Sequence, residues 1–325
     1  MKKNQPIVCT LGSGSALGFA HIGVFKFLEE QQIPVHGIAG TSMGAIVGGL
    51  YAYGYRADEL EEVCATLNTF EIAKWFFPTF PRGGLIDSDN VKKFLSSLIG
   101  TAKIENLPIP FRCVATDIVT GTEVVFDSGP LIDGIIASMS IQGMFKPYPC
   151  KGMYLCDGGL CNPVPWNIGY ELGKRNLIVN VLPVMGYSPD GKRIVVRTSS
   201  LPGQESEEEE TAFRNGIKNG RFRDSFKEIM GGLKQRRLSI QQIRDEIGHK
   251  EAEHQPSLMD VLMNWSFMNS VERRIPRPVR GKKYLLIKPD LLRFSPFDFK
   301  RGKEIIQSGY NAAVAQKEEI KKFVR

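Results

Sequence analysis

The most constraining stretch of this 325-residue chain is Gly40-Thr41-Ser42-Met43-Gly44, set between two segments of opposite habit. Before it, Gln32-Ile33-Pro34-Val35-His36-Gly37-Ile38-Ala39 reads as a short buried strand. After it, Ala45-Ile46-Val47-Gly48-Gly49-Leu50-Tyr51-Ala52 reads as a tightly packed helix. A strand that turns sharply into a helix lifts the turn residue clear of the sheet, over the helix N-terminus. Such a turn is crowded, so the positions two before and two after its centre favour glycine. Gly40 and Gly44 stand there. This is the nucleophile-elbow pattern, with Ser42 as the candidate nucleophile. The same five residues also fit a glycine-rich turn in which Ser42 only caps the helix. The pentapeptide alone leaves both readings open.

The rest of the chain alternates strand and helix. Residues 7–11 are apolar and β-prone, 12–18 form a glycine-rich loop, and 19–32 carry Ile22, Phe25 and Leu28 at helical spacing. Further helices are predicted over 58–67, 91–99 (capped by 87–90), 131–140 and 302–325. Further strands are predicted over 111–117, 123–126, 177–182 and 284–289. This alternation predicts an α/β fold, a three-layer α/β/α sandwich around a largely parallel sheet. With 42% hydrophobic residues, the chain can bury a large core. Residues 188–257 depart from the pattern. They are polar and charge-rich, with the acidic run Glu205-Ser206-Glu207-Glu208-Glu209-Glu210 and a predicted basic amphipathic helix over about 212–247. They read as an insertion into one domain, 1–325, whose core is 6–187 and 258–325.

No run of about eighteen apolar residues is present, so no membrane-spanning helix is predicted. Lys2 and Lys3 precede an apolar segment that stops at Gly12, too short for a secretion signal. Six scattered cysteines without a CxxC pair then point to reduced thiols and a cytoplasmic location. Cys150, Cys156 and Cys161 match no zinc spacing, so no metal is expected. The net charge of +7 is uneven: residues 271–303 hold eleven Lys/Arg against three acids, a local +8. Such a face either attracts anionic headgroups, as at the inner face of a membrane, or is a solvated surface opposite the acidic run. Nothing resembles a nucleic-acid module, and nucleic acid is not an expected partner.

Acyl transfer through serine builds negative charge on the carbonyl oxygen, and each preorganised donor lost costs about 3 kcal/mol. The loop Gly12-Ser13-Gly14-Ser15-Ala16-Leu17-Gly18 joins the first strand to the first helix, with its amides at the positive helix end. Gly14, Ser15 and Ala16 are its candidate donors. A dinucleotide-binding turn competes, because Gly12, Gly14 and Gly18 come near that fingerprint. The second strand, however, ends in Ile38-Ala39-Gly40, where that fold wants an acid. No cofactor is expected.

A serine nucleophile needs a base, usually histidine. Of the four present, His21 lies in the first helix and reads as a packing residue. His36 lies in a strand, pointing into the core or across the sheet, and His249 and His254 lie in the insertion. Asp157 does follow an extended apolar segment, and Gly158 and Gly159 let the chain turn behind it. A free aspartate, at about 3.9, is a weak base at neutral pH, and partial burial beside a hydroxyl raises its basicity. The alternative is a turn aspartate before two glycines.

Together, Leu11-Gly12-Ser13-Gly14-Ser15-Ala16-Leu17-Gly18-Phe19-Ala20-His21-Ile22-Gly23, Gly40-Thr41-Ser42-Met43-Gly44 and Asp157-Gly158-Gly159 resemble the patatin-like phospholipase family. The resemblance is closest to bacterial members related to the neuropathy-target-esterase group. It covers most of 7–183 and resumes at about 284–310. Weaker matches are Gly84-Leu85-Ile86-Asp87, Ala115-Thr116-Asp117 and Ala137-Ser138-Met139-Ser140-Ile141. The resemblance implies a patatin-like fold, a Ser42–Asp157 dyad, an oxyanion loop over 12–18 and hydrolysis of fatty-acyl esters of phospholipids or lysophospholipids. It leaves room for an acyltransferase, or for a lipid-surface binding or regulatory protein with little turnover. Two positions depart from the family. Leu17 stands where the family carries Arg or Lys, so Leu17→Arg should raise activity if the leucine blunts catalysis. Gln142 stands where a proline usually follows the helix. The apolar residues 70–80 read either as the mouth of an acyl trough, also able to touch a membrane, or as a satellite of the core.

Overall fold

Alternate side chains of the central strands bury into two different layers. On β1 (Ile7–Leu11), Ile7, Cys9 and Leu11 join the larger core. On β2 (Val35–Thr41), Ile38 joins the larger core and Ala39 the smaller one. On β3 (Phe111–Asp117), Cys113 and Val114 divide in the same way. Burial on both faces at a period of two marks the interior strands of a covered sheet. The structure, a computed structural model, describes residues 4–66, 88–182 and 279–325.

The remaining strands are β4 (Glu123–Phe126), β5 (Tyr148–Cys150), β6 (Met153–Asp157), β7 (Arg175–Val179) and β8 (Lys283–Ile287). Together they make one sheet in the order β5-β6-β3-β2-β1-β7-β8, with β4 paired to β3 off this path. From β3 through β8 the neighbours run parallel, while β4 and β6 are antiparallel to β3 and β5 to β6. Helices α1 (Ala20–Glu30), α2 (Met43–Tyr53), α3 (Ala57–Thr66), α4 (Asp89–Ile99) and α5 (Leu131–Met139) contribute to the larger core. α6 (Trp166–Leu172) covers the opposite face, where Ile168 and Leu172 meet Ala39 and Val114. α7 (Gly302–Ala315) packs on α1, and α8 (Lys317–Phe323) buries Ile320. The architecture is the α/β sandwich expected from the alternation of elements.

Several details differ from expectation. The C-terminal helix breaks at Gln316 into α7 and α8, and no residue there marks the break. The loop over 12–18 tightens into a buried 3-10 turn, Ser15–Phe19. β5 and α6 carry no clear sequence signal, being only three and seven residues long and set among prolines. His36 is exposed, with Nδ1 3.2 Å from the Ile7 carbonyl oxygen. Part of the cationic segment is satisfied inside the fold. Lys282 donates to the carbonyls of Tyr170 (2.5 Å) and Gly173 (3.2 Å) at the end of α6, and Arg301 pairs with Glu304 at 2.7 Å. The insertion 188–257 with His249 and His254, the apolar residues 70–80, the motif 84–87 and Arg273, Arg274 and Arg277 lie outside the described residues. Among the described residues no helix is long and apolar enough to cross a membrane, and no cluster of His, Cys, Asp and Glu could hold a metal ion.

Candidate active site

β2 ends at Thr41 and α2 begins at Met43, leaving Ser42 alone at the corner. Its backbone sits at φ 55° and ψ −119°, a conformation that costs a non-glycine residue on the order of 1–3 kcal/mol. Close packing holds it there. A Cβ on Gly44 would overlap the Leu11 carbonyl, and one on Gly40 would overlap the Gly44 carbonyl, so strand and helix meet only where both are glycine. The Ser42 N–H donates to Ser138 Oγ at 2.9 Å, and the Ser138 hydroxyl donates to the Val114 carbonyl at 2.6 Å. These bonds tie the corner to α5 and β3. The Ser42 side chain makes no capping bond to α2. Its hydroxyl instead donates to Asp157 Oδ2 at 2.6 Å.

Sheet register explains why the two meet. Thr41 pairs with Val114 on β3, and the next β3 residue, Ala115, pairs with Asp157 on β6. Ser42 and Asp157 therefore lie at one level of the sheet, on either side of β3. Asp157 is fixed through its backbone as well: its N–H donates to the Ser140 carbonyl (2.8 Å), and Thr116 Oγ1 donates to its carbonyl (3.0 Å). The second carboxylate oxygen, Oδ1, accepts from the Gly159 N–H at 2.6 Å.

Ser42 and Asp157 are 5% and 6% exposed. Burial pushes the Asp157 carboxyl up from 3.8 to about 6, against the smaller opposing pull of its hydrogen bonds from Ser42 and Gly159. Such a carboxylate is still mostly ionised at neutral pH and is a far stronger base than a free aspartate. The pair can move a proton from a hydroxyl to a carboxylate without a histidine.

The loop before α1 is held by bonds the sequence does not reveal. The Gly12 N–H donates to the Val179 carbonyl (3.0 Å) and the Ser13 N–H to the Pro163 carbonyl (2.7 Å). The Ala16 N–H donates to the Pro296 carbonyl at 2.9 Å. Ala16 therefore leaves the set of candidate oxyanion donors, because its single N–H is taken by a carbonyl from near the C-terminus. Gly14 and Ser15 have no backbone acceptor among the described residues, and Ser15 holds a positive φ of 50°. Gly18 packs on Met43, seating the loop against the elbow. His21 is more than a packing residue. It is fully buried, and its Nε2 lies 2.8 Å from the Gly12 carbonyl oxygen, where a ring N–H clamps the start of the loop. Burial lowers its pKa to about 4, so the ring is neutral at neutral pH. A histidine three residues after a glycine loop carries no signal that separates clamp from filler.

Residues 10–170 match the family model of patatin-like phospholipases. Over these residues the chain belongs to the patatin-like phospholipase family. An uncharacterized NTE family protein of Mycobacterium tuberculosis is 40% identical over 159 residues, 49% of this chain and 44% of that protein. A lysophospholipase NTE1 of Candida albicans is 31% identical over 178 residues, 54% of this chain and 13% of that one. The neuropathy target esterase sws of Drosophila melanogaster is 30% identical over 174 residues, 52% of this chain and 12% of that one. The chain thus spans less than half the length of these relatives.

Within this patatin-like domain the two departures acquire a setting. Leu17 is 1% exposed and belongs to the larger core. An arginine there would bury its guanidinium among apolar side chains, so Leu17→Arg is not expected to raise activity. Gln142 has Oε1 buried without a partner among the described residues, while its neighbours Ile141 and Phe145 face an apolar pocket. Ser15, and Met43 next to Ser42 in the chain, line that pocket. Ile46, Val47 and Leu50 continue its wall along α2. α3 and α4 add Leu60, Val91 and Leu95. The expected trough at 70–80 lies outside the described residues. The lining described here comes from helix faces that read as ordinary core, because sequence does not separate a face over a cavity from one against a neighbour.

Proposed function

We propose that this protein is a serine lipid acyl hydrolase that cleaves fatty-acyl esters of phospholipids or lysophospholipids through a Ser42–Asp157 dyad. The observation that carries the reading is the 2.6 Å hydrogen bond from Ser42 Oγ to Asp157 Oδ2, beside an apolar pocket lined by Ser15 and Met43. The yeast and fly relatives, a lysophospholipase and an esterase, support the same class.

Asp157 Oδ2 takes the hydroxyl proton as Ser42 Oγ attacks the ester carbonyl carbon. Negative charge then develops on the carbonyl oxygen, facing the N–H groups of Gly14 and Ser15. A donor already in place is worth most in such a water-poor site. The protonated Asp157 passes its proton to the departing alcohol oxygen, leaving the acyl group on Ser42. Water enters, Asp157 takes its proton as the water oxygen attacks the acyl carbon, the fatty acid leaves, and Asp157 returns the proton to Ser42 Oγ. The acyl chain rests in the pocket, while exposed Lys283, Lys288, Lys300 and Lys303 offer positive charge to an anionic lipid surface.

In a test with lysophospholipid and p-nitrophenyl ester substrates, Ser42→Ala is expected to lower kcat by about 10⁴-fold or more, with folding unchanged. Wild-type turnover by the alanine variant would refute the reading. Product analysis with glycerol or lysolipid present separates hydrolysis from acyl transfer.

A further inference from the structure

The apolar pocket shares part of its lining with a second hollow. That hollow, of about 270 Å³, is lined by Glu61, Ala65, Lys300, Lys303 and Ile306. Cys64 and Phe299 line both cavities and stand between them. Phe299 lies outside the family-matched residues, on the 3-10 turn Phe299–Arg301 that leads into α7. Its ring meets Phe19 edge to face, with centroids 5.9 Å apart and planes at 73°. Phe19 closes the turn that begins at Ser15, so this ring also braces the loop beside the reacting serine. The same C-terminal segment supplies Pro296, the acceptor for the Ala16 amide.

We infer that Phe299, with Cys64, is the acyl-length gate of this enzyme. The inference rests on the hydrolase reading and names what limits the acyl chain within it. The wall from Met43 to Leu50 runs along two turns of α2. A chain that fills the apolar pocket meets the Phe299 ring, which is part of its lining. Behind the ring lies a space floored by Ala65 and Ile306 and rimmed by charge. Lysine stems can line such a space while their ammonium groups stay in water. Removing the ring joins the two cavities and gives a long chain room to continue. Enlarging Cys64 fills the same place from the α3 side and shortens the pocket.

The experiment compares wild type, Phe299→Ala and Cys64→Leu on p-nitrophenyl butyrate, octanoate and palmitate. In parallel, calorimetry measures octanoate and palmitate binding to the same three proteins carrying Ser42→Ala. For Phe299→Ala the ratio of kcat/KM for palmitate over octanoate is expected to rise by about tenfold or more. The matching ratio of binding constants should rise with it. For Cys64→Leu both ratios are expected to fall, with butyrate kcat/KM measured for each protein as the reference for overall turnover. Unchanged ratios in both variants, with turnover intact, overturn the gate. Shifted binding ratios in a protein with no Ser42-dependent turnover leave the gate standing and remove the hydrolase reading. Absence of both turnover and binding removes both.

Discussion

The Asp157→Asn protein is expected to lose about 10⁴-fold in kcat and to gain roughly 3 kcal/mol of stability at pH 7. The two effects share one cause. Asparagine fits the site: its amide oxygen can accept from the Gly159 N–H and its amide nitrogen can donate to Ser42 Oγ, replacing bonds of 2.6 Å each. What it cannot do is take a proton. The stability gain follows from burial, which raises the folded carboxyl from 3.8 to about 6. Between those values the native state holds a proton that the unfolded state has lost, so stability falls as pH rises through the window. Above pH 6 the full cost of a buried charge is present, and asparagine removes it. His21 works in the opposite sense. Its folded pKa of about 4 lies below the ordinary 6.5, so its contribution is present above pH 6.5 and is lost as pH falls through 4. In wild type the two trends oppose each other between about pH 4 and 6. In the variant only the histidine trend remains. Denaturant melts across pH should show the stability gain at neutral pH vanish below pH 4. A variant no more stable than wild type at pH 7 would mean that Asp157 is not held at a cost.

The second large effect is at Leu17. Leu17→Arg is expected to lose more than about 3 kcal/mol, since a cation without a buried partner replaces a core side chain. No gain in turnover should accompany the loss. Urea unfolding, together with ester hydrolysis at a temperature where the variant stays folded, checks both parts. Faster turnover at unchanged stability would show that the side chain at this position reaches the oxyanion instead of the core.

The elbow was legible because its constraint is local. A helix packed directly on its own strand leaves no room for Cβ atoms at Gly40 and Gly44, and that demand is written at fixed spacing around Ser42. The layer order was legible for a related reason, since burial on both strand faces yields apolar runs between helices. Asp157 was a weaker signal. An aspartate before two glycines suits many turns, and only the pairing of β3 with both β2 and β6 brings it to the serine. The supports of the site were silent. Ser138 holds the Ser42 amide across 96 residues of sequence, and neither serine differs locally from any other. Ala16 looked like a donor because nothing near it shows that Pro296 takes its N–H. Leu17 departs from the basic residue its family carries at that place, but its side-chain direction is fixed by the 3-10 turn that replaces an open loop.

Fluorophosphonate labelling, followed by mass spectrometry across pH, tests the dyad most directly. Modification is expected at Ser42, at a rate that rises through one titration near pH 6 and collapses in Asp157→Asn. A label on any other residue, or a Ser42 rate indifferent to both pH and that substitution, would contradict the account.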